Sequence, residues 1–202
     1  MSTYHNAVSD KLIVSIFQET TVHAVYSKEH QLKWSKISSD KPSELANAIF
    51  SSSTVVSSLG RFTLAPTNIE NTKDFFDANF SKSKSLKTTS SEDFNIIEEL
   101  PLGYNAVIDS LINTEEVCDV GLFHTYGAQK ASGDALFFFP YTNGVTIAAW
   151  KEGKFILMNR YPADNLDEIF YYVMLVVEQL ELNTEKLFFE CICSKGTHES
   201  YH

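Results

Sequence analysis

The segment ALFFFPYTNGVTIAAWKEGKFILMNRY, residues 135–161, predicts three consecutive β-strands. The dipeptide Asn143-Gly144 is a strong hairpin signal, because both residue types readily adopt the positive φ angles of a tight turn. Residues 151–153 provide a second turn between two apolar runs. The segment is therefore predicted to form a strand meander, with strands at residues 135–140, 145–150 and 154–161.

A helix and a final strand are predicted to follow the meander. The helix runs from Asp164 to about Leu182, and its first turns carry acidic residues, as the helix dipole favours. Apolar residues keep helical spacing along it, at Leu166, Ile169, Phe170, Val173, Met174, Val177 and Leu180. Tyr171 and Tyr172 lie off this stripe, so at least one should meet the other half of the chain or a partner protein. Residues 187–193 form the last strand.

The first half of the chain shows the same order of elements. Strands are predicted at residues 11–17, 21–26 and 31–37, followed by a helix with Pro42 in its first turn. A strand over residues 55–65, broken near Gly60, completes the unit. The order βββαβ thus occurs at residues 11–65 and again at 135–194, in the pattern of elements and not in residue identity.

The segment between the two repeats carries weaker signals. It predicts a short helix at residues 72–80, a mobile polar loop at 81–91, a hairpin formed by 94–100 and 104–110, a short helical stretch at 113–117 and a strand at 121–126. Residues 127–133 are the best boundary between the halves. We therefore expect two subdomains, at residues 1–131 and 132–202.

A duplicated βββαβ unit is the plan of the actin-like, or ribonuclease H-like, ATPase fold, which is an α/β architecture. The sequence also resembles a family of uncharacterised bacterial proteins, the domain of unknown function numbered 3822. The matching residues lie at 12–17, 62–66, 76–80, 157–161 and 167–182. The resemblance implies an actin-like architecture with two subdomains and no particular activity. It also implies a further helix after Gly196, so the second subdomain is expected to be incomplete at its C-terminus, by truncation or by loss of that helix.

The fold implies two phosphate-binding turns of the form Asp-x-Gly, one after the first strand of each half, and each is damaged here. The first turn, residues 17–20, keeps an acid at Glu19 without a following glycine. The second, residues 140–144, keeps Gly144 without the acid. Gly196 stands alone where a glycine pair would hold adenosine. Glu19, Gly144 and Gly196 are thus the candidate residues of a degenerate nucleotide cleft, and no catalytic residue is predicted.

The charge balance argues against two classes of partner. With 26 acidic and 16 basic residues, the net charge is −10, which disfavours binding to nucleic acid or to anionic membranes. Lysines concentrate locally at Lys82, Lys84 and Lys87, in a serine-rich stretch that we interpret as a solvated loop. No apolar run approaches the about 20 residues of a membrane-spanning helix. The N-terminus has no signal-peptide pattern and cysteines are few, so we expect a cytoplasmic protein.

Metal and catalytic motifs are missing from the sequence. Cys191 and Cys193 share one face of a predicted strand, but no second pair of ligands completes a zinc site. The six histidines form no close pair on a predicted face. The glycine-rich phosphate and dinucleotide motifs, the H-E-x-x-H zinc motif and the G-x-S-x-G motif do not occur.

Three functions are compatible with these observations. The preferred hypothesis is a catalytically silent actin-like scaffold that binds a partner protein or forms a homo-oligomer. The alternative is a nucleotide-dependent switch or weak ATPase that binds Mg-ATP weakly. The third is an enzyme of another class, with a pocket that the sequence does not reveal. The damaged phosphate turns favour the first.

Overall fold

The computed structural model describes residues 8–17, 20–38, 45 and 48–192. The chain divides into two compact units, residues 1–122 and 123–202. The division falls inside a helix that we call α3, Asp119–Lys130. The subdomain boundary predicted after residue 131, just beyond the end of α3, stays a prediction.

The first unit is built on a five-stranded sheet of order β3-β2-β1-β4-β8. β1 pairs antiparallel with β2, and β2 with β3, while β1, β4 and β8 run parallel. Leu12, Val14 and Ile16 alternate on the buried face of β1, as the period of two requires. The three predicted strands of the first meander are confirmed. The strands are β1 (Lys11–Ile16), β2 (Thr21–Tyr26), β3 (Leu32–Ser38), β4 (Ser52–Ser57) and β8 (Thr114–Cys118).

A second, three-stranded antiparallel sheet belongs to the same unit. Its order is β5-β7-β6, with β5 at Phe62–Ala65, β6 at Leu86–Ser90 and β7 at Asn95–Glu99. The predicted break near Gly60 is confirmed, because β4 and β5 belong to different sheets. The predicted short helix is also present as α1, Thr72–Asn79, capped by the Asn71 side chain. Phe76 of α1 is fully buried against Ala65 and Ile97.

Four predictions for the segment between the repeats were wrong. Residues 86–90 are not part of a mobile loop but form β6, which pairs with β7 along its whole length. Residues 104–110 are not a strand of a hairpin, since Tyr104–Asp109 is the helix α2 and β7 pairs with β5 and β6 instead. Residues 114–118 form the strand β8 rather than a helical stretch. Residues 121–126 lie in α3, not in a strand. In each case the strand pairing or the packing in the folded protein outweighs the weak local signal.

The second unit matches its predicted order of elements. Three antiparallel strands, a helix and a parallel strand form a sheet of order β11-β10-β9-β12. Asn143 has φ +65° in the β9–β10 turn, and Asn165 caps the helix by accepting a hydrogen bond from Glu168 N–H at 2.9 Å. The elements are β9 (Ala135–Tyr141), β10 (Gly144–Lys151), β11 (Lys154–Pro162), α4 (Leu166–Gln179) and β12 (Phe188–Cys191).

The two units share one strand order. β3-β2-β1-β4 in the first corresponds to β11-β10-β9-β12 in the second, with the same relative directions. The helix predicted around Pro42 lies largely outside the described residues. Duplication of the complete βββαβ unit therefore stays a prediction.

Helices cover both faces of the sheet in the second unit. On one face Ile169, Val173 and Val177 of α4 pack against apolar residues of β9 and β10. On the other face Trp150 is 2% exposed and contacts Phe137 and Phe155 edge-on, at ring distances of 5.3 and 5.2 Å. Gly127 of α3 lies directly over Trp150, and a Cβ atom there would be 2.2 Å from the indole ring. The close contact between α3 and Trp150 thus requires a residue without a side chain.

The substitution Gly127→Ala is expected to lower the free energy of unfolding by about 1–3 kcal/mol, because the added methyl group overpacks the Trp150 ring. This loss outweighs the better helix propensity of alanine, about 1 kcal/mol. Chemical denaturation monitored by Trp fluorescence measures the change.

Gly133→Ala is the matched control, since a Cβ at Gly133 would have no heavy atom within 4 Å. It should change stability by less than about 0.5 kcal/mol. Equal effects of the two substitutions would contradict the proposed contact.

Candidate functional site

The structure describes one of the three predicted nucleotide-cleft residues, Gly144. Glu19 and Gly196 lie outside the described residues, although the hydrogen bond from Phe17 N–H to the Thr20 carbonyl, at 2.8 Å, flanks the first turn. The role of all three residues in a nucleotide cleft stays a prediction.

Gly144 has a packing role in the β9–β10 hairpin. It pairs with Tyr141 across the turn and with Pro162 of β11. A Cβ atom at this position would lie 2.5 Å from the Tyr141 hydroxyl oxygen. The side chain of Tyr141 therefore lies where a Cβ atom of residue 144 would be, and a larger residue would require this partly exposed ring to move.

The carboxyl ends of three parallel strands meet at one edge of the first unit. Ile16, Ser57 and Cys118 are neighbours in register, at the ends of β1, β4 and β8. In α/β folds this edge is the usual position of a ligand site. The side chains at this edge are therefore the first place to look for a functional site in the first unit.

Ser57 and Glu98 form a buried hydrogen-bonded pair at this edge. The Ser57 hydroxyl donates to Glu98 Oε2 at 2.6 Å, and the two residues are 2% and 4% exposed. A carboxylate next to a serine hydroxyl can in principle activate a nucleophile. Here the hydroxyl is enclosed, so the pair joins β4 to β7 and offers no surface to a substrate.

Cys118 is an unreactive thiol. It is buried, and its sulfur accepts the Gly121 N–H at 3.2 Å. Burial, followed by the negative charge of Glu98, raises the pKa of Cys118 to about 11. The residue is therefore protonated at neutral pH and cannot serve as a nucleophile.

The turn that leaves β4 holds a residue in a strained backbone conformation. Leu59 has φ +58°, which costs a residue with a Cβ atom about 1–2 kcal/mol. Its N–H donates to Asp119 Oδ2 at 2.8 Å, so the first residue of α3 holds the turn. Gly60 follows at a point where a Cβ would be 2.7 Å from the Glu99 carbonyl oxygen.

The outer face of α4 is a second candidate site. Four large apolar side chains occupy it, all more than a third exposed: Leu166 37%, Phe170 47%, Tyr171 62% and Met174 59%. We call these four residues the α4 outer face. The opposite side of the helix is buried, so apolar side chains occupy both the buried side of α4 and part of its exposed side. Exposed apolar residues that cluster in this way can mark a surface that binds another protein.

All the charged residues of α4 are acidic. Leu166–Gln179 contains Asp167, Glu168 and Glu178 and no Lys or Arg. Asp167 and Glu178 are exposed, one near each end of the apolar residues. The face therefore combines an apolar centre with acidic ends.

Sequence reasoning located only part of this face. It placed Leu166, Phe170 and Met174 on the same stripe as the buried Ile169 and Val173, because both sets fit a helical period. Tyr171 is exposed, so the expectation that one of the two tyrosines meets the other half of the chain or a partner stays a prediction. Tyr172 stacks on Tyr161 with a ring distance of 4.7 Å.

The described part of the chain holds neither a candidate metal centre nor a candidate membrane span. Among residues 8–17, 20–38, 45 and 48–192, no group of three His, Cys, Asp or Glu side chains could hold a metal ion. No helix within these ranges is both long enough and apolar enough to span a bilayer.

The sequence matches a family model over nearly its whole length. The model is described as "Protein of unknown function (DUF3822)" and covers residues 6–199. No curated protein matches the chain. The resemblance found in the sequence is confirmed.

Solved structures identify the fold. A protein of Bacteroides thetaiotaomicron VPI-5482, described as having an actin-like ATPase fold and unknown function, superposes with a TM-score of 0.76 at 13% identity. The match covers 96% of this chain and 86% of that one. At this identity the likeness shows the fold alone, and it confirms the predicted α/β, actin-like architecture.

More distant matches have TM-scores of only 0.36 and carry no argument about function. The ethanolamine utilization protein EutJ of Carboxydothermus hydrogenoformans is 9% identical, with 92% of this chain and 61% of that chain covered. The Ppx/GppA phosphatase of Aquifex aeolicus is 6% identical, with 90% and 67% covered. This chain thus spans less than two thirds of the length of EutJ.

The substitution Glu98→Gln should lower the pKa of Cys118 from about 11, because it removes a buried negative charge near the thiol. The pKa should stay above the ordinary value of a cysteine, since burial is the larger cause. The measurement is a pH titration by ¹³C NMR of labelled Cys118, with Cys191 and Cys193 replaced by serine.

Glu115→Gln provides the control, because Glu115 is a glutamate of β8 that is exposed to solvent, whereas Glu98 is buried. It should leave the titration unchanged. A Cys118 pKa that is the same in Glu98→Gln and in the parent protein would refute the coupling.

Proposed function

The chain belongs to the DUF3822 family, and we propose that it is a catalytically silent member of the actin-like ATPase fold that acts as a scaffold for another protein. The observation that carries this proposal is the α4 outer face. The buried Ser57–Glu98 pair and the protonated Cys118 support a silent role, because neither presents a reactive group to a substrate.

The partner is expected to be a basic amphipathic helix. Side chains at positions 166, 170 and 174 are spaced four residues apart, so they form a ridge that fits the groove of another helix. The acidic residues at both ends of the ridge favour Lys or Arg on the partner. A second copy of α4 would bring like charges together, so charge disfavours a homodimer through this face.

The double substitution Phe170→Ser with Met174→Ser should weaken binding of a helical Leu/Lys model peptide at least about tenfold. Removing one well-buried apolar side chain from an interface typically costs more than about 1 kcal/mol, and tenfold corresponds to about 1.4 kcal/mol. Fluorescence anisotropy of the labelled peptide measures the affinity. Both side chains are exposed, so the variant should keep the fold.

Ile112→Ser is the matched control, because Ile112 is an apolar residue of the first unit that is 81% exposed. It should leave binding unchanged, and a helical Leu/Glu peptide should not bind. The serine substitutions do not alter the net charge of the protein. If the Leu/Lys peptide bound equally to the parent chain, the double variant and Ile112→Ser, attraction to the acidic chain alone would explain the affinity. That result would contradict the proposed site.

The natural partner can be sought with the same variants. Proteins captured from a native lysate by the parent chain and by Ile112→Ser, but lost with the double variant, are candidates for direct binding tests.

Sedimentation velocity of the parent chain tests whether it forms a homo-oligomer. If the α4 outer face holds such an oligomer together, the oligomer should dissociate in the double variant.

The competing function is a nucleotide-dependent switch or weak ATPase. We expect Mg-ATP to bind with a Kd weaker than about 1 mM, that is, with less than about 4.1 kcal/mol of binding free energy. The affinity is expected to be weak because both phosphate-binding turns are incomplete: Glu19 has no following glycine, and Gly144 has no preceding acid. Calorimetry with Mg-ATP, with Mg²⁺ alone as the blank, makes the measurement. Micromolar binding would overturn the silent scaffold and favour the switch.

A further inference from the structure

We propose that a cavity in the first unit binds a small organic anion. The cavity has a volume of about 540 Å³, within the range of about 300–1,000 Å³ typical of small-molecule sites. It lies between the entry to β6, the end of β7, the start of α2 and the Gly60-Arg61 segment. It is formed by residues 60–106 and does not involve α4, so it is independent of the proposed scaffold function.

The floor of the cavity is apolar and held in place by the fold. Leu100, Pro101 and Tyr104 line it, and Pro101 and Tyr104 are themselves buried. The Leu100 N–H donates to the Ser85 carbonyl at 2.9 Å, which ties the entry to β6 to the end of β7. The floor can therefore receive a ring or a short aliphatic chain without a rearrangement of the backbone.

One wall holds a cation that is already neutralised. Arg61 donates to Glu99 Oε2 from Nε at 2.8 Å and from Nη2 at 2.7 Å, and its Nη1 reaches Ser81 Oγ at 3.1 Å. The guanidinium carbon also lies over the Phe76 and Phe80 rings, 5.9 and 5.7 Å from their centroids. Arg61 is thus fixed as part of the wall.

The segment that enters β6 contributes two lysines without a carboxylate partner. Lys82 and Lys84 line the cavity, and within the described part of the chain neither ammonium group forms an ion pair. Glu99, the acidic residue of the lining, is already engaged. Its Oε2 accepts from Arg61 and its Oε1 accepts the Lys84 backbone N–H at 3.1 Å.

The lining therefore has two uncompensated positive charges in a chain whose net charge is −10. Lys87, the third lysine of this stretch, differs from them, because its ammonium pairs with Glu116 at 2.6 Å. A cavity lined by these two lysines and by apolar residues fits a ligand that has a phosphate or carboxylate group joined to an apolar body. The concave shape selects a small molecule.

The test uses phenyl phosphate and benzoate as probes, with phenol as the neutral analogue. We expect saturable binding of at least one anion and no saturable binding of phenol. The NMR shifts of the Gly60 and Gly103 amides measure this binding. The phosphate and carboxylate arms show which anionic group the site prefers. Replacing both lysines, Lys82→Gln and Lys84→Gln, should weaken binding at least about tenfold, since the charge-assisted hydrogen bonds to the anion are lost.

Lys28→Gln is the matched control, because Lys28 is an exposed lysine of the β2–β3 turn that does not line the cavity. It should leave binding unchanged. Both lysines of the cavity are exposed, so the double variant should unfold at the parent's denaturation midpoint. The proposal is overturned if neither anion binds saturably, if phenol binds as well as the anions, or if Lys28→Gln weakens binding as much as the double variant does.

Discussion

In each unit, the first strand of the meander pairs in parallel with the strand that comes after the whole meander. The rest of the structure depends on this pairing. β1 pairs with β4, and β9 with β12. Parallel neighbours need a crossover long enough to return the chain to the same end of the sheet. In the second unit α4 is that crossover, and it brings its buried side against β9 and β10. The pairing thereby sets which side of α4 faces outward.

The same constraint determines the chemistry of the first unit. Because β1, β4 and β8 are parallel, their carboxyl ends lie together, at the edge where open α/β sheets usually bind ligands. At this edge the Ser57 hydroxyl donates to Glu98, and burial together with Glu98 raises the pKa of Cys118. Ser57 and Cys118 are both buried, so they contribute to the packing between β4, β7 and β8.

Charge is distributed far less evenly than the total of −10 suggests. The α4 outer face is bounded by Asp167 and Glu178, while the cavity of the first unit carries Lys82 and Lys84. Each charged group acts over about 8–10 Å at physiological ionic strength. Two surfaces of opposite local charge can therefore attract different partners on one chain.

By itself, the sequence determined the meander, helix and strand of the second unit, because the Asn143-Gly144 turn and the helical spacing of apolar residues are local signals. It also determined the family and with it the fold. Only the tertiary structure decided that residues 86–90 and 114–118 are strands. β6 has a polar sequence with little strand signal and becomes a strand by pairing with the neighbouring β7, while β8 pairs with β4, which is distant in sequence. The tertiary structure alone distinguished the buried Val173 from the exposed Met174. A helical period is compatible with either side of the helix facing the sheet, and the packing of α4 against β9 and β10 selects one side.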